Sequence, residues 1–244
     1  MNSRLTPAKR WKNSCGTRPK IRPARGRERF LAPLVSGSGK LEAMEFFRRV
    51  TGPVRRLGVF PGTFNPVTVA HLALAEAAVA SLDEVLFVLP REFPHKPYSG
   101  ASFADRIGML GAALADAPSF SLASTEGGLF ADIAVECRQE YGEGVHLAFL
   151  CGRDAAERVV DWDYGQPGAF AGMLRGFDML VAARGGDYRP AGQIRESVRR
   201  LELEPEFSGV SATEIRRRLA CGEAWEHMVP PEIREMVRRL YRAR

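Results

Sequence analysis

The chain has 244 residues, 45% of them hydrophobic, and a formal net charge of +6. That length can bury the core of one large α/β domain, or of one domain with attached extras, and the absence of any run of about 18 apolar residues excludes a membrane-spanning helix. The charge is uneven: residues 1–43 hold 11 Lys and Arg against Glu28 and Glu42, which leaves 24 Lys and Arg against 27 Asp and Glu in residues 44–244, so the basic total gives no reason to expect a DNA partner for the body.

Residues 1–43 lack a hydrophobic period and scatter Pro, Gly and Ser among their basic side chains, which predicts a mostly disordered tail. The tail has no apolar stretch like a secretory signal, and "VSGSGK" lacks the full spacing of a phosphate loop. An arm attracted to RNA or to a membrane surface, a targeting segment, or upstream sequence outside the mature protein are the readings it allows, and Met44 offers an alternative start. The four cysteines, Cys15, Cys137, Cys151 and Cys221, are far apart and lack metal-ligand spacing, so reduced thiols, no protein-held metal and a cytoplasmic location are expected.

From residue 54 the pattern becomes regular. "VRRLGVF" reads as a buried first strand, and "TVAHLALAEAAVA" then takes helical spacing. "DEVLFVLP" is a second strand ended by proline, and "SFADRIGMLGAALAD" a helix with Ser102 at its start and Asp105 three residues on. "FSLAS" is a weak strand, "ADIAVECRQEY" a helix, "VHLAFLCG" a strong strand, "RDAAERVVDW" a helix and "FDMLVAARGG" another strand with its loop. "VSATEIRRRLACG" and "PPEIREMVRRLY" read as closing helices. Strands alternating with helices, and near-continuous apolar runs such as "VLFVL", predict a mostly parallel sheet covered on both faces.

In such a sheet, ligands lie beyond the carboxyl ends of the strands. The segment "GVFPGTFNPVTVAH" leaves the first strand through Gly62, flanked by Pro61 and Pro66, and enters a helix near Thr68. Backbone N–H groups around Thr63 and Phe64, with the helix start, suit phosphate oxygens, and Thr68 and His71 add a hydroxyl and an imidazole. A capped helix with a structural histidine explains the same residues. His95 and Lys96 follow the second strand, either on the ligand edge or in a solvated loop. Ser211, Thr213 and Glu214 form a second helix-start signature from which Arg216 could reach a polyphosphate, although capping alone accounts for Ser211 and Glu214.

Taken together, these motifs resemble the cytidylyltransferase-like nucleotidyltransferase superfamily, most closely its bacterial nicotinate-mononucleotide adenylyltransferases. "GTFNPVTVAH" looks like that family's phosphate signature, with Thr68 in its His-or-Thr position and His71 in its second His position. "PHK", "SFADRIGML" with Arg106, "GRD" from Gly152 to Asp154, "VSATEIR" and "MVPPEIREMVRRLY" are similar to later family segments, so the likeness spans about residues 54–242. It implies a Rossmann-like nucleotidyltransferase domain over residues 44–244 and adenylyl transfer from ATP to nicotinate mononucleotide, with Mg²⁺ accompanying the ATP. It also implies roles: His71, Thr68, Lys96 and Arg216 at the reacting phosphates; Gly62, Thr63, Phe64, Asn65, Gly152, Asp154, Ser211 and Thr213 around the nucleotide; His95, Arg106, Trp162 and Arg184 toward the acceptor.

The pyridine side departs from the family. Where its members carry an S-Y-T-x-D-T-like element, this chain reads "GGLFADIAVE", in which Asp132 matches and Phe130 offers an apolar or core contact. The segment "VVDWDYGQPGAFAGML" keeps Trp162 as a stacking aromatic but is extended around "YGQPG". Nicotinamide mononucleotide or pantetheine phosphate therefore stand as alternative acceptors, and a non-enzymatic nucleotide- or RNA-binding protein as the alternative class. A C2 homodimer is allowed by symmetry preference alone.

Overall fold

The computed structural model describes residues 43–92, 100–160, 169–182 and 197–241. A seven-stranded sheet runs in the order β1-β4-β3-β2-β5-β6-β7. Its strands are β1 (Glu45–Arg48), β2 (Arg56–Pro61), β3 (Glu84–Pro90), β4 (Phe120–Thr125), β5 (His146–Gly152), β6 (Asp178–Ala182) and β7 (Val198–Leu201). All neighbours pair in parallel except β1, which joins β4 antiparallel at one edge. This is the expected Rossmann-like sheet, mixed by one edge strand.

Helices cover both faces: α1 (Val69–Val79), α2 (Phe103–Ala113), α3 (Phe130–Tyr141), α4 (Arg153–Val160), α5 (Ala169–Met173), α6 (Ala212–Cys221) and α7 (Arg234–Leu240). The period-2 geometry of a strand sends alternate residues to opposite faces. Phe60, Phe87, Leu89, Leu122 and Leu150 meet α1, α2, α6 and α7 on one side. Val59, Leu86, Val88, Phe149 and Met179 meet α3, α4 and α5 on the other. Both faces of β3 are therefore buried along its whole length, which explains its unbroken apolar run.

Strand order reverses beside β2. The chain passes from β2 through β3 to β4 on one side, then crosses back so that β5 pairs with the opposite edge of β2. Beyond the carboxyl ends of β2 and β5 the connections diverge and leave a crevice. The two edge strands are not evident in the sequence. β1 is only four residues long and half exposed, and its place is held by Arg48, whose guanidinium donates to the carbonyls of Phe120, Ala115 and Ala117 at 3.0, 3.0 and 2.9 Å. β7 carries Arg199 and Arg200 in its middle; Arg199 donates to the carboxylate of Asp178 at 3.2 Å.

Among the described residues no helix is long and apolar enough to cross a membrane. One buried charge runs against the core. Glu136 of α3 is 2% exposed, and its Oε2 has no hydrogen-bond partner. Burial, reinforced by the charges of Asp132 and Glu126, pushes its carboxyl up to about 7 from an ordinary 4.5. A carboxyl raised in the folded state opposes folding once pH exceeds its unfolded pKa, and the full penalty is present above its folded pKa. Glu136→Gln is therefore expected to stabilise the protein by about 1–3 kcal/mol at pH 8 and to give no gain near pH 4. Urea denaturation at both pH values measures the difference.

Candidate functional site

A cleft of about 560 Å³ opens at the reversal point. Its walls come from the end of β2 and the following turn (Phe60 to Phe64), from His71 of α1, from Gly128 to Phe130 at the start of α3, from Cys151 and Gly152 at the end of β5, from Arg153 and Arg158 of α4, and from Ser208, Gly209 and Ser211 before α6. Residues 140 positions apart thus share one wall, because β2 lies at the centre of the sheet and α6 packs over the same face as α1.

The turn after β2 is built to face the cleft with its N–H groups. Gly62 continues the ladder, donating to Val88 O at 3.1 Å, so its own N–H is spent within the protein. Among the described residues the N–H groups of Thr63 and Phe64 have no protein acceptor. The carbonyls of this turn point the other way: Thr63 O accepts from Arg106 at 3.1 Å, and Asn65 O accepts from Arg216. Phe64 sits at φ 44°, a conformation that non-glycine residues rarely adopt, and its ring packs against Phe60, Phe87 and His71 at centroid distances of 5.5, 5.6 and 5.2 Å. A Cβ on Gly62 would lie 3.0 Å from that ring and would push it back by a few tenths of an ångström.

Thr68 and His71 form a reciprocal cap at the start of α1. The Thr68 hydroxyl accepts the His71 N–H at 3.2 Å, and the imidazole Nδ1 lies 3.0 Å from the Thr68 N–H and 2.8 Å from its hydroxyl. A backbone N–H can only donate, so Nδ1 accepts and the neutral ring carries its proton on Nε2. His71 thereby becomes a fixed N–H donor on the cleft wall, while Thr68 is fully buried behind it. At the second helix start, Ser211 caps α6 by accepting the Glu214 N–H at 3.1 Å. Glu214 does not complete the box; Arg217 and then Arg218 bind its carboxylate and hold it down to about 2.

The residues expected from the sequence therefore separate by position. Gly62, Thr63, Phe64, His71, Gly152 and Ser211 line the cleft. Thr68, Asn65, Arg106 and Arg216 lie behind or beside it and brace the turn or the imidazole; Arg106 is 2% exposed. Thr213 is exposed and accepts from Arg216 at 3.2 Å. A Cβ on Gly152 would meet no protein atom within 4 Å, so its missing side chain opens space for a ligand. His95, Lys96, Trp162, Arg184 and the side chain of Asp154 lie outside the described residues. Phe130 is both a wall and a core residue, stacked on Phe149 at 4.5 Å.

Sequence reasoning passed over Arg153 and Arg158, which α4 presents to the cleft; Arg153 also bonds Glu157 at 2.7 Å. Their spacing along a helix that follows a strand terminus was the available signal. Cys151 also lines the cleft, with burial pushing its thiol up to about 12, so it is no nucleophile. No Asp or Glu occurs among the described lining residues. N–H groups, an imidazole and two guanidinium groups make a surface suited to anions.

The Thr68–His71 pair can be tested directly. Thr68→Val is expected to cost about 1 kcal/mol of stability through loss of the cap, and to leave the proton on Nε2, because the backbone N–H of residue 68 still donates to Nδ1. Denaturant unfolding measures the first, and the ¹⁵N resonances of the His71 ring measure the second.

Comparison with known proteins agrees with this geometry. A family model described as Cytidylyltransferase-like matches residues 59–218. A protein of Treponema pallidum subsp. pallidum named probable nicotinate-nucleotide adenylyltransferase is 34% identical over 209 residues, covering 77% of this chain and all of that one. One of the same name from Thermus thermophilus is 32% identical over 200 residues, with 77% and 100% covered. In three dimensions, the Plasmodium falciparum nicotinic acid mononucleotide adenylyltransferase complexed with NaAD superposes with a TM-score of 0.59 at 14% identity over 75% of this chain and 94% of that one, a likeness of fold. The sheet order, the two motifs meeting across one cleft and the family match together make this chain a member of the cytidylyltransferase-like nucleotidyltransferase family.

Proposed function

We propose that this protein transfers the adenylyl group of ATP to nicotinate mononucleotide, giving deamido-NAD and pyrophosphate. The observation that carries the reading is the convergence of the Gly62–Phe64 turn, His71 and the capped start of α6 on one cleft whose described walls hold no carboxylate. Nicotinate is preferred as acceptor because curated relatives bear that name, and we assign Arg158 of the cleft wall to an acidic acceptor, Arg153 being engaged by Glu157.

In the reaction a phosphate oxygen of the mononucleotide attacks the α-phosphorus of ATP. The new P–O bond forms as the bond to the bridging oxygen breaks, and that oxygen leaves with the electron pair as part of pyrophosphate. A phosphate monoester needs no base to become nucleophilic, so the protein's task is alignment and charge stabilisation. The N–H groups of Thr63 and Phe64 and the Nε2–H of His71 would donate to the transferring phosphoryl group. The N-terminus of α6 would receive the leaving phosphates. Mg²⁺ enters as part of the substrate, chelated by the triphosphate; the cleft's donors suit phosphate oxygens and not a bare cation.

The test is a panel of nicotinate mononucleotide, nicotinamide mononucleotide and pantetheine phosphate, each with ATP and with CTP, read by pyrophosphate release. Turnover is expected with ATP and nicotinate mononucleotide; reaction with pantetheine phosphate alone would overturn the pyridine acceptor, and no reaction with any pair would overturn the enzyme. His71→Ala should lower kcat by about 10²–10³ with an unchanged circular dichroism spectrum. Arg158→Ala should narrow the preference for nicotinate over nicotinamide mononucleotide.

A further inference from the structure

The turn that faces the cleft is latched from behind by the far end of the chain. Asn65 is 5% exposed and points its side chain away from the cleft into a narrow slot. Its Oδ1 accepts the hydroxyl of Tyr241, 176 positions later, and the Ala101 N–H at 3.4 Å. The slot has no spare room: Gly100 lies at φ +135°, and a Cβ there would come within 2.4 Å of Asn65 Nδ2. Tyr241 is seated by the fold itself, capping α7 through an N–H bond to Val237 O at 3.0 Å while its ring packs against the core beneath α1 and α2.

We propose that Tyr241 is a positioning residue for the anion-binding turn, acting through Asn65. Arg106 and Arg216 hold the carbonyls of Thr63 and Asn65; the first shares its peptide plane with the Phe64 N–H, and the second precedes Pro66, which has none. The Tyr241–Asn65 bond, together with that from the Ala101 N–H, holds the Asn65 side chain and so anchors the residue on which the turn ends. It thereby sets the direction of the Thr63 and Phe64 N–H groups, which the ligand must meet within a few tenths of an ångström. The effect on catalysis rests on the adenylyl-transfer reading; the effect on the turn does not.

Tyr241→Phe removes the hydroxyl and keeps the packed ring. In the unliganded variant, amide hydrogen exchange at Gly62 and Ala101, whose N–H groups are bonded to Val88 O and Asn65 Oδ1, is expected to quicken about tenfold, while exchange in β3 and β5 stays as in the parent. In the assay, the Kd for MgATP should rise about five- to tenfold and kcat should fall, with the KM of the acceptor and the thermal midpoint unchanged. Asn65→Ala should give similar losses, and the double variant should lose no more than either single one. Unaltered exchange in Tyr241→Phe would overturn the latch, as would additive losses in the double variant or a general loss that follows a lowered thermal midpoint. A parent protein that binds ATP without forming deamido-NAD would defeat the nicotinate reading and leave the exchange result standing.

Discussion

The turn between β2 and α1 can offer its N–H groups to the cleft because its carbonyls are satisfied inside the protein. A trans peptide unit has its N–H and C=O on opposite sides, so holding the Thr63 carbonyl aims the Phe64 N–H, whereas the Asn65 carbonyl precedes Pro66 and anchors the end of the turn with no N–H beside it. Arg106 from α2 and Arg216 from α6 take the carbonyls of Thr63 and Asn65. The ring of Phe64 fills the space that Gly62 leaves empty. Helices that are distant in sequence thus determine the local geometry of four residues. The direction of α1, and with it the position of His71, follows from the same turn.

Charge in the cleft is arranged by the fold and not by totals. The body carries an excess of acidic residues, yet the described lining contains Arg153, Arg158 and His71 and no carboxylate. Many cations are paired with carboxylates, Arg153 of the lining among them through Glu157. Arg217 and Arg218 neutralise Glu214 on the outer side of α6, and Arg217 also pairs with Glu223. Exposed pairs of this kind contribute little to stability. They engage the Glu214 carboxylate, which makes no reciprocal bond to the Ser211 N–H at the start of α6.

Much of this protein is legible in its sequence because burial and capping write themselves into local pattern. The central strands β3 and β5 are apolar without interruption, since both of their faces are covered, and Ser102 with Asp105 forms a reciprocal box whose spacing alone identifies the start of α2. Thr68, His71 and Ser211 are visible as helix starts beside strand ends. The edge strands are not. β1 and β7 are short, charged and half exposed, and their pairing depends on partners such as the carbonyls that Arg48 gathers 67 to 72 residues away.

Side-chain roles divide in the same manner. Local pattern was enough to establish the alternation of strand and helix, the two glycine- and hydroxyl-bearing helix starts, and their likeness to one nucleotidyltransferase family, because these depend on neighbours within about four residues. It took the folded chain to show that Arg106 and Arg216 brace carbonyls, that Thr68 stands behind His71 and not in the cleft, and that Arg153 and Arg158 line it. An arginine reads the same in sequence whether its guanidinium meets a ligand or a carbonyl. Which it meets depends on elements that become neighbours when the sheet forms.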